Sequence, residues 1–216
     1  SAGLGPIGNI VNNRTLEDKP SKGPNVASLT PQNSTSISVV WKELSLDDAN
    51  GVITEYRVCY MLGKSSTSEL CKTNVSANQN LNVTLSALEK YKSYVIAVRA
   101  STVIGFGPPG ETMTATTDQD LPGAPTIESK NVDLTEISLK WSEPSQPNGV
   151  ILKYNVCWHL INDASEKCLT ENDVPTMDYR IPNLLPGTQY VISVLAFTTV
   201  GGGERAKISP KTLESG

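Results

Sequence analysis

The stretch Tyr56–Cys71, YRVCYMLGKSSTSELC, returns about a hundred residues later as Tyr154–Cys168, YNVCWHLINDASEKC. Each copy opens Tyr-x-Val-Cys, with large apolar residues at every second position, and closes on a second cysteine after a short polar segment. Alternation with period two marks a β-strand with one buried face. Tyr56, Val58 and Tyr60 share that face, and so do Tyr154, Val156 and Trp158; Cys59 and Cys157 fall on the other.

The repetition extends outward from these strands. NGVITEYRVCY from Asn50 matches NGVILKYNVCW from Asn148, SISVVW ending at Trp41 matches EISLKW ending at Trp141, and LEKYKSYVIAVRAST from Leu88 matches LLPGTQYVISVLAFTT from Leu184. A period of about a hundred residues is too long for a solenoid and suits two tandem domains. Ile37, Val39 and Trp41 alternate inward, as do Tyr94, Ile96, Val98 and Ala100. Their counterparts are Ile137, Leu139 and Trp141, then Tyr190, Ile192, Val194 and Ala196. Turn signals at Asn50-Gly51, Pro147-Asn148-Gly149 and Pro186-Gly187 separate the strands. The expected fold is all-β: two seven-stranded, immunoglobulin-like sandwiches in an extended arrangement, joined by the proline-stiffened linker DQDLPGAP.

A Trp ending the second strand, P-N-G-x-I-x-x-Y-x-V opening the third and L-x-P-x-T-x-Y-x-V-x-V-x-A in the sixth resemble the fibronectin type III domain. The first copy departs from the last motif with LEKYKSY. In that family Tyr94 and Tyr190 would hold the tyrosine-corner position. The resemblance implies domains at 19–118 and 119–216. SAGLGPIGNIVNNRT parallels STVIGFGPPGETMTATT from Ser101, so residues 1–18 are expected to be the last strand of a preceding copy.

The cysteines pair within each copy on this reading. Cys59 with Cys71, and Cys157 with Cys168, would sit side by side on adjacent antiparallel strands, on the face away from the core. Zinc would need closer cysteine spacing. Persistent disulfides imply an oxidising compartment. Four N-x-S/T sequons, at Asn13, Asn33, Asn74 and Asn82, agree with it; none falls in the second copy.

Other chemistry finds no support. The net charge of −4 argues against nucleic acid. Gly105-Phe-Gly107-Pro-Pro-Gly110 and Gly3-Leu-Gly5-Pro-Ile-Gly8 match G-x-G-x-x-G, but no helix follows to receive a pyrophosphate. His159 is the only histidine and has no partner for catalysis in the sequence; Glu43, Asp47 and Asp48 lack the spacing of a calcium loop. No enzyme, metal or cofactor is expected.

The resemblance implies a non-catalytic recognition or spacer module from the ectodomain of a cell-adhesion molecule or receptor, of the neural adhesion or receptor tyrosine phosphatase type. Its partner would be a protein, bound homophilically or heterophilically, with the membrane anchor outside this chain. A secreted matrix protein and an accessory module of an extracellular enzyme are the alternatives. Two partner surfaces are expected. One is the outer face of the second domain, with Val191, Leu195, Phe197, Asn155 and His159. The other is the loop of Val103, Ile104 and Phe106.

Overall fold

The computed structural model describes residues 16–63, 70–77, 80–163, 165–169 and 177–216. Most of the expected remnant strand at 1–18, and Asn13 with it, lies outside the described residues.

The first domain runs β1 (Val26–Asn33), β2 (Ser36–Trp41), a single helical turn α1 (Leu46–Ala49), β3 (Glu55–Leu62), β4 (Leu70–Ser76), β5 (Asn82–Leu85), β6 (Ser93–Thr102), β7 (Gly105–Phe106) and β8 (Met113–Thr116). One sheet has the order β1-β2-β5 and the other β4-β3-β6-β7, with β8 also paired to β6. The second domain runs β9 (Thr126–Val132), β10 (Ile137–Ser142), β11 (Lys153–Leu160), β12 (Lys167–Cys168), β13 (Asp178–Ile181), β14 (Tyr190–Phe197) and β15 (Gly202–Ile208). Its sheets are β13-β10-β9 and β12-β11-β14-β15. Three strands therefore face five in the first copy and four in the second.

The alternating residues make the core. Ile37, Val39, Val58, Ile96 and Val98 in the first domain are fully buried, as are Ile137, Ile192 and Val194 in the second. At the centre a tryptophan meets the tyrosine that opens the repeated motif. Trp41 and Tyr56 lie 5.5 Å apart, centroid to centroid, and Trp141 and Tyr154 5.7 Å. Tilted aromatic pairs of this kind add about 0.5–1.5 kcal/mol beyond the area they bury. Burial, and then Glu143, push the Tyr154 hydroxyl up to about 12. Tyr190 forms the expected corner, its hydroxyl accepting from Leu185 N at 2.9 Å.

The sequence carried no helical periodicity, and α1 needs none. Ser45 caps it, its hydroxyl accepting from Asp48 N, and Asn50 ends it in the left-handed region at φ 52°.

The start of each domain is built the same way. Glu17-Asp18-Lys19-Pro20 lies against the first domain as Gln119-Asp120-Leu121-Pro122 lies against the second. Val52 N donates to Glu17 Oε1 at 3.3 Å, and Val150 N to Gln119 Oε1 at 2.8 Å. Asp18 N and Asp120 N donate to Asn50 O and Asn148 O. Asn50 Nδ2 and Asn148 Nδ2 donate in return to Lys19 O and Leu121 O. Thr102 Oγ1 and Thr198 Oγ1 donate to Asp18 O and Asp120 O. Glu17 and Asp18, assigned by sequence to the preceding copy, are thus bonded into the domain that follows them.

Close approach explains Gly107 and Gly110 of the motif that mimics a dinucleotide fingerprint, and Gly203 in the second domain. A Cβ at Gly107 would collide with the Pro20 carbonyl, one at Gly203 with the Pro122 carbonyl, and one at Gly110 with the Pro24 carbonyl. They let backbones touch.

Gly203→Ala should therefore lower the second domain's stability by about 1–3 kcal/mol. Gly123→Ala, whose Cβ would stop 3.4 Å from Gln146 O, should change it by less than about 0.5 kcal/mol. Thermal unfolding of the two variants checks the contrast. A pH dependence follows from α1. Hydrogen bonds from Lys22 and then Ser45 hold the Asp48 carboxyl below the ordinary aspartate range. A depressed folded value gives stability that is complete above the unfolded value and lost as pH falls through the folded one. Amide exchange at Ala49 and Ser21 should be protected at neutral pH and quicken in acid below that range, after correction for intrinsic rates.

Candidate binding surface

The outer faces of the two larger sheets carry the residues singled out by sequence. In the first domain Cys59 is bonded to Cys71, with which it is in register across β3 and β4 after a bulge. In the second, Cys157 is bonded to Cys168 across β11 and β12. Cys59 and Cys157 are each 1% exposed although they point away from the core. Ala97 on β6 and Ser193 on β14 stand opposite them in register and are also buried. Cys157, Cys168 and Glu166 come close enough to suggest a metal, but both sulfurs are consumed by the disulfide and offer no thiolate.

The outer face of the second domain corrects an expectation. Leu195, opposite Asn155 on β11 and Arg205 on β15, is 8% exposed. Two features cover it. Gly202 leaves room on the next strand, where a Cβ would stand 3.1 Å from the Leu195 side chain and against the Phe197 ring. Arg205 reaches across β14, donating to Ser193 Oγ at 3.2 Å and pairing with Glu166. Leu195 is a packed residue of this face and presents no open apolar patch. Val191, Phe197, Asn155 and His159 are half-buried beside it, and Lys153 lies over the Phe197 ring at 5.1 Å.

His159 serves the turn that follows β11. Its Nδ1 stands 2.9 Å from both Leu160 O and Asp163 O, the geometry of one N–H shared between two carbonyls. The Asp163 carboxyl is held below its usual range by the backbone and then the side chain of Ser165, with His159 adding to the effect. A groove of about 330 Å³ opens between this turn and the Tyr190 corner. It contains no oriented nucleophile or general-base pair among the described residues.

The first domain presents a different outer face. Arg57 stands opposite Asn74 on one side and Arg99 on the other. Its Nε donates to Asn74 Oδ1 at 3.0 Å, and its guanidinium lies 3.9 Å over the Phe106 ring. A stacked guanidinium keeps its planar donors while losing little freedom. Phe106 is thus tied to the sheet, whereas Val103 and Ile104 at the tip of its loop are 73% and 52% exposed. Thr102 Oγ1 accepts from Ile104 N and holds the tip. Val200, 53% exposed, occupies the matching tip in the second domain, where Thr198 Oγ1 accepts from Val200 N. The sequence did not suggest the Arg57–Phe106 stack, because residues so far apart in the chain meet only through strand register.

Two tandem sandwiches, each with its disulfide on the outer face of the larger sheet, define the structural class. The model of the Fibronectin type III domain family matches residues 18–116 and 122–212, and the chain belongs to that family. It is 32% identical over 209 residues to "Cell adhesion molecule DSCAM" from Homo sapiens, an alignment covering 96% of this chain and 10% of that protein. It is 34% identical over 215 residues to "Protein sidekick-2" from Mus musculus, covering 98% of this chain and 10% of that protein. "Protein sidekick-1" from Homo sapiens is 30% identical over 217 residues, with 99% and 10% covered. The chain therefore spans about a tenth of the length of the curated relatives it matches. No described helix is long and apolar enough to cross a membrane.

Leu195→Glu places a carboxylate where the protein is packed. It should lower the second domain's stability by about 3 kcal/mol or more, and Leu195→Ala by about 2–3 kcal/mol. Denaturant unfolding of the two variants, followed at a second-domain probe, checks both values.

Proposed function

We propose that this chain is an extracellular recognition segment of a cell-adhesion molecule or receptor at the plasma membrane, acting through non-covalent contact with another protein. The observation that carries this reading is the pair of outer-face disulfides, one per domain, which only an oxidising compartment maintains. The similarity to a cell adhesion molecule supports the same compartment and class of work. No reaction is assigned to the module. Its surfaces offer sheet faces and loop tips, and its buried polar groups serve the fold.

Within this reading the partner contacts the loop tip at Val103 and Ile104, the most exposed apolar pair among the residues first singled out. Phe106 anchors that loop from behind, and the half-buried residues Val191, Phe197, Asn155 and His159 contribute at most a rim. Apolar residues presented on a rigidly held turn lose little entropy when a partner covers them.

The chain, secreted from a eukaryotic host and displayed on beads, should bind cell surfaces or aggregate with itself; the two assays separate heterophilic from homophilic recognition. Val103→Asp and Ile104→Asp should each weaken whichever binding is seen by about tenfold, the scale of a single buried interface residue, with unchanged thermal stability. Binding that survives both substitutions would remove the loop from the reading. No binding in either assay would count against adhesion itself.

A further inference from the structure

Strand β4 is the outermost strand of its sheet. Such an edge offers unpaired backbone groups to any passing strand, and proteins usually cover it. Asn74 lies on this edge, exposed, within the sequon Asn74-Val75-Ser76. Val75 is 5% exposed and turns inward, so Asn74 and Ser76 both turn outward. Arg57 Nε donates to Asn74 Oδ1 at 3.0 Å while its guanidinium rests on Phe106. The amide is thus held by its oxygen. Its nitrogen, the atom a glycan would use, makes no hydrogen bond among the described residues.

We propose that Asn74 carries an N-linked glycan whose first sugar lies on the Arg57–Phe106 stack and closes the β4 edge. The proposal rests on the extracellular reading above. In the modification, Nδ2 attacks the anomeric carbon of a lipid-pyrophosphate-linked oligosaccharide. A C–N bond forms, the anomeric C–O bond breaks, the lipid pyrophosphate leaves with the electron pair, and one Nδ2 proton passes to a base on the transferase. Oδ1 takes no part, so it still accepts from Arg57 once the sugar is attached. A pyranose has an apolar C–H face and a polar rim. The face matches a planar guanidinium, and the rim meets its remaining N–H donors.

The other described sequons lack this platform. Asn33 Oδ1 is occupied within its own turn, accepting from Thr35 N at 2.8 Å and Thr35 Oγ1 at 3.1 Å. Asn82 is exposed on β5. Neither the Arg57–Phe106 pair nor the Lys153–Phe197 pair adjoins these asparagines in sheet order. Asn33 and Asn82 therefore serve as internal controls.

The full chain is secreted from a eukaryotic host, site occupancy is read by mass spectrometry, and the glycans are trimmed enzymatically to one sugar. Ser76→Ala provides the comparison, because it destroys the sequon yet keeps Asn74 and its bond to Arg57. Asn74 should be occupied. Amide exchange across β3 and β4 should be about fivefold slower in the trimmed wild type than in Ser76→Ala, as expected for a modest gain in local stability. That difference should vanish in an Arg57→Ala background and shrink in Arg57→Lys, which keeps the charge and loses the planar stack. Asn74 left bare while Asn33 or Asn82 is modified would overturn the proposal and leave the extracellular reading standing, as would equal exchange with and without the sugar. All three asparagines left bare would overturn the glycan and weigh against the extracellular reading with it.

Discussion

The third strand of each domain must satisfy two sides at once, and the rest of the structure follows from that demand. On its inner side Tyr56, or Tyr154, meets the tryptophan of the opposing sheet. On its outer side Cys59, or Cys157, is bonded to the neighbouring edge strand. A slip of one residue would exchange the faces, bringing cysteine to the core and tyrosine to water. Aromatic packing and the covalent link therefore enforce the same register. The bulge between Val58 and Cys59 shows the first domain adjusting its backbone to meet both requirements.

The outer faces are less open than strand alternation alone suggests. Cys59 and Cys157 are buried on these faces, and so are Ala97 and Ser193 opposite them in register, on the side away from the core between the sheets. Arg205 adds cover in the second domain by bridging to Glu166. In the first domain a stacked arginine bonded to Asn74 takes that place. The two copies share a framework and differ in what they present to solvent, which suits a repeated module whose surfaces serve separate purposes.

Much of this was legible in the sequence because period-two alternation reports burial directly. Trp41, Tyr56, Val58, Ile96 and their counterparts were readable for that reason, and the cysteines because they repeat. Leu195 was misread. Its position on an outward row was right, but it packs close to Gly202 and beside Arg205 on the next strand, and that neighbourhood is set by strand pairing, which alternation alone does not report. The segment at the start of each domain was also missed, although Glu17-Asp18-Lys19-Pro20 and Gln119-Asp120-Leu121-Pro122 could have been aligned by eye. Its role depends on hydrogen bonds to Asn50 and Asn148, residues read only as turn formers. Gly107, Gly110 and Gly203 provide contact between backbones, which no residue spacing reports.

The account's central claim is that each half is a separately stapled sandwich made for an oxidising environment. Peptide mapping of the secreted protein without reduction tests it most directly. The account predicts two linked peptide pairs, Cys59 with Cys71 and Cys157 with Cys168, and no free thiol. A thiol open to alkylation in the folded protein, or a bridge joining the two halves, would contradict it.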